Sequence, residues 1–83
     1  MSLEKTLKLD ESMIVEIQSV RQDFGRRIKT IRKSNRLSQE ELASRAKLHR
    51  NYISDVERGE RNLSLEALIK LSIGLGISIR DLF

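Results

Sequence analysis

Cysteine, proline and tryptophan are absent from this 83-residue sequence, and aromatic side chains are scarce, with one Tyr and two Phe. Without cysteine there is neither a disulfide framework nor a thiolate metal site. A single His argues against a His-based zinc site and against a His-centred catalytic triad. No paired acids, nucleophile–base set or phosphate loop is visible, which makes an enzyme the weakest function class. No apolar run reaches the roughly 18 residues that span a bilayer, and no secretory segment opens the chain. These absences describe a soluble, cytoplasmic protein that is not an enzyme and has no expected metal, cofactor or small-molecule ligand.

What the sequence does have is charge, unevenly placed. Sixteen Lys+Arg stand against twelve Asp+Glu, a formal net charge of +4. Residues 1–20 carry two Lys and four acids, net −2, and residues 21–36 carry seven Arg/Lys and one Asp, net +6. Residues 37–83 carry seven of each and are neutral. A basic balance points toward a polyanion. The length allows one small domain, and at this size only about 60% of the unfolded surface is buried, so a partner subunit would add needed area.

Few aromatics, no proline and few β-branched runs predict an all-α chain. Five helical segments follow from periodicity and punctuation. Val20, Phe24, Ile28 and Ile31 form one stripe, and Asn35 is placed to close that helix in a left-handed conformation. Ser38 caps a second helix with Glu41 completing a capping box, and Leu42, Ala43 and Ala46 face inward. A third helix runs from about Arg50 to Arg58 with Tyr52, Ile53 and Val56 inward and Gly59 as its stop. Ser64 caps a fourth, with Leu65, Leu68, Ile69, Ser72 and Leu75 as its buried stripe and Gly74 and Gly76 at its end. Ser78 opens a final turn through Ile79, Leu82 and Phe83. Residues 1–19 read as an arm or as a backward extension of the first helix, and residues 20–83 as the folded domain.

From Gln39 to Arg58, small Ala43 sits at the fifth of twenty positions, where two helices can cross closely. Leu42, Ala46, Leu48, Ile53 and Val56 take the core positions. That is the spacing of a helix-turn-helix. The stretch Ser38-Gln39-Glu40-Glu41-Leu42-Ala43, then Tyr52-Ile53-Ser54, then Val56-Glu57-Arg58-Gly59 resembles the phage-repressor-like helix-turn-helix regulators of bacteria. The runs Leu48–Ser54 and Glu57–Ser64 resemble more particularly the controller proteins of restriction-modification systems. Arg36 and Lys47 depart from the family pattern, since both stand where a glycine is usual.

The resemblance implies a lambda-repressor-like, five-helix DNA-binding domain with the third helix in the major groove of double-stranded DNA. Arg50, Asn51 and Ser54 would project from one end of that helix. Arg suits a guanine edge and Asn an adenine edge, against the blander options of a phosphate contact and a helix cap. Gln39 opens the second helix, where backbone N–H groups favour a phosphate. Tyr52 reads as core with its hydroxyl toward a phosphate. Arg58, Arg61 and Asn62 would meet the DNA backbone or form a solvated loop. The resemblance also implies a structural ion pair between Arg32 and Glu57, and His49 reads as a cap or surface residue.

An apolar set of Leu75, Ile77, Ile79, Leu82 and Phe83 suggests a homodimer interface, presenting two recognition helices to a near-palindromic operator. The implied function is autoregulatory control of a restriction-modification operon, with RNA polymerase as a possible further partner through Glu40 and Glu41. A phage or antitoxin-type repressor without activation, and a protein–protein interaction module on the same fold, are the rival readings.

Overall fold

In a computed structural model, which describes residues 10–83, the chain forms four α-helices and a closing 3₁₀ turn. They are α1 (Glu11–Ser34), α2 (Gln39–Ala46), α3 (Arg50–Glu57), α4 (Leu65–Leu75) and the turn Ile79–Leu82. The fifth expected helix is thus a single 3₁₀ turn. The described part of the expected arm is helical: α1 runs unbroken through residue 20 for 24 residues, about 36 Å at 1.5 Å per residue.

Each helix starts on a side-chain acceptor. Asp10 accepts from the Met13 N–H, Ser38 from Glu41, His49 Nδ1 from Asn51 and Ser64 from Ala67. The Ser38–Glu41 capping box is complete, at 3.0 Å in both directions. Each helix also ends on the same doubled hydrogen bond, in which the residue past the end reaches back three positions and its successor five. For α1 these are Arg36 N–H to the Lys33 carbonyl and Leu37 N–H to the Arg32 carbonyl; α2 repeats them with Lys47 and Leu48. In α3 and α4 the pairs are Gly59 with Glu60 and Gly76 with Ile77.

This closure needs a left-handed residue. Gly59 and Gly76 supply it with φ of +77° and +69°, but Arg36 and Lys47 adopt φ of +57° and +56° in its place. The two departures from the family pattern therefore keep the glycine conformation and carry its steric cost. Asn35, the residue expected to be left-handed, has φ −88°, because the closing bonds fall one residue later.

The core gathers Phe24, Ile28, Leu42, Ala43, Ala46, Ile53, Val56, Leu71, Leu75 and Leu82 into one cluster. Two glycines set its closest approaches. A Cβ on Gly25 would lie 2.4 Å from the Val56 carbonyl oxygen, so α1 rests directly on the backbone at the end of α3. A Cβ on Gly74 would lie 2.9 Å from that of Ala46, so the last turn of α4 presses against the end of α2. That approach rotates α4. Its buried face is Ala67, Leu71, Ser72, Gly74 and Leu75, while Leu65 and Ile69, expected inward, are 67% and 44% exposed. Val20 on α1, also expected inward, is exposed too.

Two residues expected at a dimer face lie elsewhere. Leu75 and Leu82 are buried within the chain's own core and offer no surface to another copy. Ile77 and Ile79 pack partly against that core, and Phe83 is exposed, its ring 5.3 Å from that of Phe24. Arg27 donates twice to the Asp81 carbonyl, which ties the closing turn to α1. Among the described residues, no helix is long and apolar enough to cross a membrane.

Candidate nucleic-acid interface

The frame of the site is the buried pair Arg32–Glu57. Arg32 Nε and one terminal nitrogen donate to the two Glu57 oxygens at 2.6 and 3.0 Å, a forked geometry that a lysine could not make. Its other terminal nitrogen donates to the Leu37 carbonyl at 2.8 Å. The Glu57 hydrogen bond holds the guanidinium even more firmly protonated than usual. Glu57 accepts a third bond, from the Gln39 amide at 3.1 Å. One carboxylate thus joins the end of α1, the start of α2 and the end of α3. With each Arg32 nitrogen and both Glu57 oxygens partnered, removing either charge would leave the other buried and unpaired.

On this frame α3 projects its first turn outward. Arg50 and Asn51 are exposed and Ser54 is half-buried one turn on. His49 fixes the start of α3 through its Nδ1 at 3.1 Å from the Asn51 N–H. Capping is therefore done by His49, which frees the Asn51 side chain from that role. Gln39 opens α2 as expected, with its backbone at the helix start and its side-chain amide turned in toward Glu57.

The basic residues are held by acids on the same surface. Arg50 Nε lies 3.0 Å from Glu40 of α2. The Glu40 carboxyl sits below its ordinary range, first through its own backbone N–H and then through the Arg50 charge. Arg58 bonds Ser54, Asp55 and Glu60, and Glu60 above all holds its guanidinium in the charged form. Arg61 reaches the other Asp55 oxygen at 3.1 Å and stacks over the Tyr52 ring, 4.9 Å from its centre. Tyr52 itself packs half-buried against the core, and Asn62 is exposed. Exposed pairs of this kind are worth little in themselves, about 0–1 kcal/mol. Their effect is to order the side chains and to leave the face near neutral.

Asp55 and Glu40 are the positions that the sequence reading undervalued. Asp55 stands three residues before Arg58, a helical pairing distance that was legible. Its second partner, Arg61, comes from beyond the Gly59 turn, and Glu40 meets Arg50 across two helices. Neither pairing has a local signal.

Comparison with known proteins agrees with this geometry. Residues 28–82 match the helix-turn-helix family. The control protein C.BamHI of Bacillus amyloliquefaciens is 50% identical over 66 residues, covering 77% of this chain and 80% of its own. The control protein C.MunI of a Mycoplasma is 48% identical over 61 residues, covering 72% and 82%. The crystal structure of the restriction-modification controller protein C.AhdI from Aeromonas hydrophila superposes with a TM-score of 0.77 at 43% identity, covering 78% of this chain and 98% of that one. With the family matched across most of the chain and its start-and-stop chemistry intact, this protein belongs to the helix-turn-helix family of transcriptional regulators, and its relatives there include restriction-modification control proteins.

Proposed function

We propose that the chain is a dimeric, autoregulatory controller of a restriction-modification operon, and that it reads a near-palindromic operator with α3. The observation that carries this is the exposed first turn of α3, Arg50 with Asn51, on a helix whose far end is locked to α1 and α2 through Glu57. Arg50 exchanges Glu40 for a guanine edge, Asn51 takes a neighbouring adenine, and Ser54 follows one turn on. Arg58, Arg61 and Asn62 bear on the phosphate backbone, as do the first backbone N–H groups of α2 at Gln39. Tyr52 keeps its ring under Arg61 and so positions that cation.

The dimer face retains Ile77, Ile79 and Phe83, and gains the exposed α4 residues Leu65, Ile69 and Ile73. A two-fold pair sets its recognition helices about 34–36 Å apart, one DNA turn. One dimer upstream would recruit RNA polymerase, and a second on an adjacent site would block it.

Two measurements test the reading. Arg50→Ala should weaken the cognate site by roughly 1–3 kcal/mol and flatten preference at one base position. Unchanged preference in a mobility shift would assign Arg50 to a phosphate. Transcription from the gene's own upstream region should rise and then fall as protein is titrated; a fall alone would leave a repressor without activation.

A further inference from the structure

The first half of α1 carries an apolar stripe that no described residue covers. Met13, Ile14 and Val20 are 47%, 42% and 54% exposed. Beside them lies a groove of about 360 Å³, walled by Ile17, Val20 and Phe24 on one side and by Leu63, Leu68 and Phe83 on the other. Arg21 also lines it, and its Nε is buried without a hydrogen-bond partner among the described residues. A buried donor without an acceptor costs about 1–3 kcal/mol, so it is a position where an incoming acceptor would be welcome. The helix-turn-helix family match begins at residue 28, after this segment.

The stripe has a symmetry of its own. Met13, Ile17, Val20 and Phe24 are spaced four, three and four residues apart, so the pattern reads the same in either direction. The charges do the opposite. Residues 10–20 carry three acids (Asp10, Glu11, Glu16) and no Lys or Arg, whereas Arg21, Arg26 and Arg27 follow, with Asp23 between them paired to Arg26. About the midpoint of the stripe, Glu16 mirrors Arg21, Glu11 mirrors Arg26 and Asp10 mirrors Arg27. An antiparallel neighbour of identical sequence therefore brings apolar to the level of apolar and acid to the level of base. A parallel neighbour would bring acid to acid.

We propose that the groove receives the first half of α1 from a second copy of this chain, the two helices running antiparallel. Ile17 of each copy lies at the level of the other's Val20, and each Met13 enters beside the other's Phe24 and Phe83. This contact centres on α1 and shares Phe83 with the C-terminal face invoked above for the DNA-binding dimer; Arg61 and Asn62 line the same groove, and the contact forms without DNA.

The absence of cysteine makes the test direct. Ile17→Cys and Val20→Cys proteins, mixed and treated with a short bifunctional maleimide, should give a covalent dimer. Val15→Cys, on the opposite side of α1, should not. Efficient self-linking of Met13→Cys alone would mean a parallel pair and would overturn the proposal. So would a mixture that stays monomeric, the result expected if the chain's own first residues or another protein fill the groove. As a second readout, Ile17→Glu with Val20→Glu places a charge in the contact. Sedimentation should show the association beyond the α4-face dimer weakened at least about ten-fold, with the helical circular dichroism unchanged. Undiminished association would sink the idea.

Discussion

One helix, α1, has two halves that differ in what lies across from them. In the second half Phe24, Gly25, Ile28 and Arg32 are all buried, against α3 and the closing turn. In the first half no residue is fully buried, and only Ile17 and Arg21 are half-buried. Both halves show the same apolar spacing, so periodicity marks a face without saying whether the chain supplies anything to pack on it. What separates them is chemistry that periodicity does not register. Gly25 lets backbone meet backbone, and Arg32 carries a charge inward to one carboxylate.

The sharpest way to break the contrast is to remove that carboxylate. Glu57→Ala should cost about 3–5 kcal/mol, because Arg32 would stay buried and Gln39 would lose its acceptor. Urea denaturation would read the loss directly. A cost under about 1 kcal/mol would mean that Arg32 escapes to solvent and that the pair is a surface bridge.

Gly25→Ala comes next. Its Cβ would meet the Val56 and Glu57 carbonyl oxygens at 2.4 and 2.7 Å, backbone atoms that cannot swing aside. Overpacking of this kind costs about 1–3 kcal/mol. The same denaturation series should place it below Glu57→Ala, and a stabilised Gly25→Ala variant would show that α1 can lift off α3 freely.

How far these features were legible follows from their range. The capping box at Ser38, the His49 and Ser64 starts, the Gly59 and Gly76 stops and the Arg32–Glu57 pair were readable, the first five from neighbours in sequence and the last from the family resemblance. The left-handed Arg36 was flagged only as an unusual residue, since φ is a property of the closed turn. Of the expected α4 stripe, Ser72 and Leu75 are buried and Leu68 packs on the core, but Leu65 and Ile69 were misread because they continue that stripe as well as Ala67 and Leu71 do. Choosing between them required knowing that Gly74 packs on Ala46, a contact between distant residues. For the same reason Leu75 and Leu82 looked available to a partner when the chain itself uses them. At the site, Arg50, Asn51 and Arg61 were nameable, but the acids that hold two of them were not.

The two ends of α1 offer the smaller tests. Its packed end closes on Arg36, and a side chain in that conformation costs roughly 1–2 kcal/mol, against about 0.4–1 kcal/mol for the added freedom of glycine in the unfolded chain. Arg36→Gly should therefore stabilise the fold by about 0.5–1 kcal/mol. A loss would mean that the Arg36 side chain makes a favourable contact that outweighs the strain.

The free end starts on Asp10, and here the test is a titration. The Met13 N–H, then the Ser12 hydroxyl, hold its carboxyl below the ordinary value of 3.8. A depressed folded value means that the cap is fully effective above the unfolded value and is lost as pH falls through the lower, folded one. Acidification below about pH 3.8 should thus release the Met13 amide, visible as a pH-dependent shift of its NMR signal. Asp10→Asn keeps an acceptor oxygen without a proton to take up, so its Met13 signal should stay flat over the same range. A Met13 amide indifferent to pH in the parent protein would remove Asp10 as the start of α1. Frayed first turns would in turn weaken the antiparallel contact, because Met13 can enter a neighbour's groove only from an ordered helix.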